Sequence, residues 1–294
     1  MNGDGYGDVI VGASMSNRAF LFLGSATGLS SLSATPLNPS GMAANFGVTV
    51  AGVGDVNADG YGDVMVGTDG TNNAFLYMGS ATGVSGTPIV LNAPSGSSGF
   101  GRSIAGAGDV NADGYPDVVI GAFTNGVAFI YHGGGAGLST GPNAVLNGMG
   151  AVNFGFIVDG AGDTNGDGYN DVIVGAPVIG GSGSGTGYIF RGGMSGIVLS
   201  GPTTFSIPGA GAQPWRLASL GDTNRDGLCD FAVANPIAST SASIQVYVGV
   251  MGASPRLTNT LTAVSTIGTS IAALPLPARL GLLSRLAGRG PLAL

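Results

Sequence analysis

The chain has 294 residues, 57 of them glycine, and its 16 acids and 9 bases leave a formal charge of -7. Every acid is Asp and every base is Arg, so two good helix formers, Glu and Lys, are absent. With 44% hydrophobic residues, this composition excludes a helical bundle, a coiled coil, a collagen and a disordered chain; there is no run of ~18 apolar residues to span a membrane, and no cluster of bases to hold nucleic acid.

Taken along the chain, the sequence is a repeat. The N-terminal stretch MNGDGYGDVIVGAS opens inside one copy of a loop. Full copies follow: FGVTVAGVGDVNADGYGDVMVG from Phe46, FGRSIAGAGDVNADGYPDVVIG from Phe100, FGFIVDGAGDTNGDGYNDVIVG from Phe154, and the weaker QPWRLASLGDTNRDGLCDFAVA from Gln213. Each unit predicts four short strands, because β-branched and aromatic runs alternate with Gly, Asn, Ser and Pro clusters. In the first full copy these are the Phe46 segment, Val64 to Val66, Ala74 to Met78, and a fourth near Ile89 to Leu91. Four-stranded units at this period predict an all-β fold, a β-propeller of four-stranded blades. The blades fall at about 1–44, 45–98, 99–152, 153–212 and 213–266. A partial copy at 267–274 has the opening pattern but no following Gly-Asp, and a non-repeat Arg/Leu/Pro-rich tail, read as disordered or artefactual, fills 275–294. Four blades are near-complete and two are partial. The chain is thus a fragment of a larger propeller, or a five-bladed ring closed by 267–274.

The loop D-x-N-x-D-G-x-x-D carries the chemistry. Its copies are Asp55, Asn57, Asp59 and Asp63; Asp109, Asn111, Asp113 and Asp117; Asp163, Asn165, Asp167 and Asp171; and Asp222, Asn224, Asp226 and Asp230. Asn2, Asp4 and Asp8 form a truncated fifth copy; only Asp69 and Asp159 among the acids lie outside. Carboxylates this dense repel one another unless something neutralises them. Oxygen side chains at positions 1, 3 and 5, a turn-forming Gly at 6, a backbone carbonyl at 7 and a closing Asp at 9 suit a hard cation with many oxygen ligands, Ca²⁺. The position-7 carbonyls belong to Tyr6, Tyr61, Tyr115, Tyr169 and Leu228. Position 12, where an EF-hand has Glu, is Val66, Ile120, Val174 and Val233. The reading is therefore four full Ca²⁺ sites, each in a β-hairpin, with weak affinity on the order of 10⁻⁴–10⁻³ M.

Phe-Gly at Phe46, Phe100 and Phe154, the acidic loop, and Gly-Ala-Pro at Gly175 to Pro177 resemble FG-GAP repeats, which build the N-terminal β-propeller of integrin α subunits. The resemblance covers about residues 2–274. It implies an extracellular or cell-surface propeller with Ca²⁺ on one face and a protein or glycan ligand met on the other, acting in adhesion or ligand binding. A start inside a loop implies that any signal peptide has been lost by truncation. The alternative is a non-catalytic accessory propeller of a secreted hydrolase or lyase. No catalytic residues are expected, since nearly every Asp is committed to a loop.

Several residues stand apart. Arg18, Arg102, Arg191 and Arg216 recur near blade edges and read as solvated or blade-bridging. Asp159 replaces Ala51 and Ala105 in its strand and can line a central channel. His132 reads as a surface residue after a strand, Cys229 as a free thiol at a non-ligand loop position, Trp215 as inter-blade packing, and 176–187 as a flexible Gly/Ser excursion.

Overall fold

The computed structural model describes residues 1–29, 34–38, 44–178, 184–207, 216–235 and 242–263. Among them the chain folds into five antiparallel blade sheets, one per sequence unit, and a two-stranded ribbon. Blade I holds β1 (Val9–Ala13), β2 (Arg18–Phe22) and β3 (Thr35–Leu37). Blade II holds β4 (Val50–Gly54), β5 (Asp63–Gly67), β6 (Asn73–Tyr77) and, after a small ribbon of β7 (Gly79–Ser80) and β8 (Gly83–Val84), β9 (Ile89–Asn92). Blade III holds β10 (Phe100–Gly108), β11 (Asp117–Ala122), β12 (Val127–Tyr131) and β13 (Ala144–Asn147). Blade IV holds β14 (Ile157–Gly162), β15 (Asp171–Ala176), β16 (Gly185–Phe190) and β17 (Thr203–Ile207); blade V holds β18 (Arg216–Gly221), β19 (Asp230–Asn235), β20 (Ala242–Val248) and β21 (Arg256–Ala263). Strands in blades II to V pair in chain order as meanders. This is a β-propeller of four-stranded blades. The innermost strands β4, β10, β14 and β18 stand side by side.

The unbroken apolar runs mark the second strands. β5, β11 and β15 are buried along their whole length, as strands covered on both faces must be. β1 has the same sequence pattern, but lies at the edge of a three-stranded sheet, and Val9 and Val11 are exposed. Before each full loop the inner strand slips register, between Gly52 and Gly54, Gly106 and Gly108, Gly160 and Gly162, and Ser219 and Gly221. Gly54, Gly108, Gly162 and Gly221 all have positive φ. The Gly of each Gly-Asp pair is thus a bulge that turns the chain out of the sheet and into the loop.

No blade buries itself alone. One apolar cluster joins Phe46, Val64 and Tyr77 of blade II to Ala19 and Leu37 of blade I. The next joins Phe100, Ile120 and Tyr131 of blade III to Met65 and Leu76 of blade II, and a third joins Phe154, Val174 and Phe190 to Val119 and Ile130. The Phe of each Phe-Gly pair is fully buried and meets its own blade's third strand edge-on, as Phe46 with Phe75 at 5.3 Å and Phe154 with Tyr188 at 5.1 Å. In blade II the first strand begins later than the sequence predicts: Phe46-Gly47 lies in a turn and β4 starts at Val50. Gln213 and Trp215 lie outside the described residues. Near that seam Phe205, from the outer strand of blade IV, packs on Phe231 and Tyr247 of blade V at 5.5 and 4.9 Å. The expected excursion at 176–187 is shorter than its sequence suggests, because β16 already begins at Gly185; residues 179–183 lie outside the description, as do 267–274 and the tail.

Candidate metal loops at the blade seams

Five loops repeat one backbone course. Position 4 (Gly3, Ala58, Ala112, Gly166, Arg225) and the position-6 Gly (Gly5, Gly60, Gly114, Gly168, Gly227) all have positive φ. In the blade II loop, Asp55 accepts the amides of Asp59 at 3.0 Å and Gly60 at 2.7 Å, and Asp59 accepts that of Tyr61 at 3.0 Å. The Asn57 side-chain amide donates to the second Asp59 oxygen at 2.9 Å. The same contact joins Asn2 to Asp4, Asn111 to Asp113, Asn165 to Asp167 and Asn224 to Asp226. Positions 1, 3 and 5 therefore converge in every full copy.

Position 9 does something the sequence does not announce. Asp63, Asp117, Asp171 and Asp230 are buried, and each carboxylate bridges two backbone amides. Asp63 accepts Val56 N–H at 2.9 Å with one oxygen and Gly79 N–H at 2.7 Å with the other. The pairs are Val110 and Gly133 for Asp117, Thr164 and Gly192 for Asp171, and Thr223 and Gly249 for Asp230. Asp8 follows suit, with Gly24 N–H on one oxygen and the chain amino group on the other. The ninth residue clamps the loop to the end of the third strand of its own blade. Where position 2 is Thr, its hydroxyl adds a further bond, Thr164 to Asp171 and Thr223 to Asp230. Burial pushes the carboxyls of Asp63, Asp117 and Asp171 above the usual range, and the two amides oppose it. Neighbouring loop carboxylates push the same way: Asp59 and Asp55 on Asp63, Asp113 on Asp117, and Asp167 on Asp171.

Among the described residues no three carboxylate, imidazole or thiol groups gather into a ready cage. The convergent set is two carboxylates and one amide, with position 9 directed to the backbone. The donors are all hard oxygens once the Asn amide is turned about its last torsion. The two ion pairs among the described residues, Met1 amino group with Asp8 and Arg102 with Asp69, leave positions 1 and 5 of every full loop without a cationic partner. An oxygen-seeking cation fits this set; zinc, which wants His or Cys, does not.

The other chemistry-bearing residues sit on seams or in the channel. His132 is not a free surface residue. Its Nδ1 lies 3.4 Å from Asn111 Nδ2, its ring abuts Gly196 of the next blade, and its Nε2 is enclosed without a partner. Arg102 bridges blades as the sequence suggests: it pairs with Asp69 and lies over the rings of Phe123 at 5.6 Å and Phe156 at 5.0 Å. Cys229 is free, and its sulfur rests on Gly162 of blade IV.

A cavity of ≈780 Å³ runs along the first halves of the inner strands, lined in part by Thr49, Arg102, Ser103, Phe156, Asp159 and Arg216. Asp159 accepts the amides of Gly160 at 3.0 Å and Ser219 at 3.3 Å. Burial pushes its carboxyl from 3.8 up to about 7, against the pull of those amides. Since the folded value lies above the unfolded one, ionising Asp159 costs stability; the cost is absent below about pH 4 and complete above about pH 7. Asp159→Ala, the residue found in register at Ala51, Ala105 and Ala218, should raise stability in urea unfolding at pH 8, with the gain vanishing at pH 4. A gain equal at both pH values would show that Asp159 is not ionised at a cost.

Four-stranded blades of this kind, each with an acidic loop between its first two strands, are those of FG-GAP-type β-propellers. The FG-GAP-like repeat family matches residues 55–120 and 109–174. These residues carry FG-GAP-like repeats, and the propeller they form is integrin α-like. The chain is 38% identical over 149 residues to human integrin alpha-6, a match covering 46% of this chain and 13% of that protein. It is 36% identical over 157 residues to chicken integrin alpha-8, covering 46% and 15%. It therefore spans only a small part of the length of these relatives. A solved structure of a protein from Lactobacillus plantarum superposes with a TM-score of 0.54 at 13% identity, over 90% of this chain and 70% of that one, which supports the fold alone.

Proposed function

We propose that this chain is a calcium-binding extracellular β-propeller that serves as a non-enzymatic adhesion or ligand-binding module for a protein or glycan. The observation that carries this reading is the repeated loop in which positions 1, 3 and 5 converge without a cationic partner. In each full loop Ca²⁺ would be held by Asp at position 1, Asn at 3, Asp at 5, the carbonyl of residue 7, and lone pairs of the position-9 Asp left free by its clamp. The ion would supply charge neutralisation, and the blade would supply the rest of the fold. Asn2, Asp4, Tyr6 and Asp8 repeat positions 3, 5, 7 and 9 of the same loop.

Ligand binding is assigned to the rim opposite the loops. The cavity opens along the Phe-Gly half of the inner strands, and Arg102, Phe156 and Arg216 line it there. Integrin α relatives support an extracellular setting, where millimolar Ca²⁺ fills weak sites. Among the described residues no helix is long and apolar enough to cross a membrane.

Calorimetric titration of the metal-free protein with Ca²⁺ tests the loop assignment. Asp113→Ala should remove one site and leave the others titratable. An unchanged stoichiometry would reject the assignment.

A further inference from the structure

The loops look alike within a blade, but they differ in what the next blade does to them. The same kinds of contact cross the seams, but not all of them at each seam. The residue at position 8 of the following loop lies over the bulge glycine of the preceding blade: Pro116 over Gly54, Asn170 over Gly108, Cys229 over Gly162. Its amide, where it has one, donates to the carbonyl of the position-1 Asp. Asn170 N–H reaches Asp109 O at 3.1 Å and Cys229 N–H reaches Asp163 O at 2.8 Å. Pro116 has no N–H to give to Asp55 O. A second amide, from the turn after the third strand of the following blade, reaches the position-2 carbonyl: Gly134 to Val56 at 2.9 Å, Gly193 to Val110 at 2.9 Å, Val250 to Thr164 at 2.9 Å. Among the described residues only the blade IV loop receives a third, from Gly252 to Asn165 O at 2.7 Å, and there Asn165 is buried.

The blade II loop is thus held by one amide of its neighbour, the blade III loop by two and the blade IV loop by three. Every such bond fixes backbone at positions 1 to 3, the segment that aims the first two ligands. A loop fixed in advance has less conformational freedom to lose when it closes on an ion. Resting on the calcium reading above, we infer that the cation sites are graded by the blade that follows them: the Asp163 loop fills first, the Asp109 loop next and the Asp55 loop last, with Pro116 and Asn170 as positioning residues that set the difference. Because docking of the next blade and filling of the loop favour the same backbone, each also strengthens the other.

Terbium, a luminescent stand-in for Ca²⁺, reads the loops separately, since Tyr61, Tyr115 and Tyr169 stand at position 7 of the three loops and can sensitise its emission. Each Tyr→Phe variant identifies the share of one loop by the emission it removes. The expected midpoints rise from the Tyr169 share to the Tyr115 share to the Tyr61 share. Pro116→Asn, which places at Gly54 the same residue that already covers Gly108, restores the missing donor. It should lower the midpoint of the Tyr61 share roughly two- to tenfold, the worth of one net hydrogen bond, and leave the Tyr169 share unmoved. The reciprocal Asn170→Pro should raise the midpoint of the Tyr115 share by a similar factor. Equal midpoints, a reversed order, or a Tyr61 share unmoved by Pro116→Asn would overturn the grading while leaving the calcium sites standing. Terbium emission that none of the three Tyr→Phe variants reduces would overturn the calcium reading itself, and the grading with it.

Discussion

Stripping divalent cations should lower the melting temperature by about 10–20 °C relative to the protein in ~10 mM Ca²⁺. A site with a dissociation constant of about 10⁻⁴–10⁻³ M, filled only in the folded state, contributes about 1.4–2.7 kcal/mol at that concentration. Four full loops would together contribute about 6–11 kcal/mol, and each kcal/mol moves the midpoint of a domain this size by roughly 2 °C or more. The structure supplies the reason for so large an effect. Each loop holds carboxylates at positions 1 and 5 without a counter-charge, and its position-9 carboxylate is buried beside them. Differential scanning fluorimetry in EDTA and in Ca²⁺ decides the matter. A midpoint that does not move would mean that the loops stand as hydrogen-bonded turns and hold no ion.

Gly121→Ala should be among the most damaging single substitutions in the chain, costing at least about 3 kcal/mol. A Cβ at Gly121 would fall well inside the van der Waals radius of the Gly155 carbonyl oxygen. Gly155 has positive φ, and a Cβ on it would in turn strike the Val127 carbonyl. The same pairing joins Gly12 to Gly47 and Gly67 to Gly101. This is the physical content of the repeat name: the Gly of each Phe-Gly pair is pressed against the Gly that opens the Gly-Ala-Pro-like segment of the preceding blade, and neither backbone has anywhere to retreat. Gly141 has nothing near its would-be Cβ, so Gly141→Ala serves as the control and should leave stability within about 0.5 kcal/mol. Urea unfolding of the two variants side by side provides the check; similar midpoints would show that the seam can spread to admit a methyl group.

The blades were legible in the sequence because period and punctuation agree: Val64 to Val66, Ala74 to Tyr77 and Ile89 to Leu91 all fall in strands where the apolar runs place them. The acidic loops were legible as loops for the same reason. Contacts between distant residues were not. Nothing near Asp63 signals that its partner is Gly79, although the glycine just after each of these strands, at Gly24, Gly79, Gly133, Gly192 and Gly249, was a visible signal of a fixed role. Phe205 reads as one aromatic residue in an outer strand, and its position on Phe231 and Tyr247 depends on how two blades meet. His132 reads as surface for want of knowledge that Gly196 would cover it. Local pattern reports which strand a residue is in; it does not report which neighbouring blade the residue touches.

Because four of the five apolar clusters among the described residues are split between neighbouring blades, the repeat visible in the sequence and the unit that holds together are out of phase by half a step. A cut at Phe46, Phe100 or Phe154 looks natural on the page, yet it divides a core and leaves both pieces with a bare apolar flank. An excision that respects stability would keep whole interfaces, so a single blade should never be found as an independently folded piece. Conversely, copying one repeat adds one blade and one complete interface at once. A protein built this way can change length by whole repeats without redesigning any contact, which is how a row of near-identical units can drift at one member, as blade V has drifted from Phe-Gly to Gln-Pro, while the others keep their pattern.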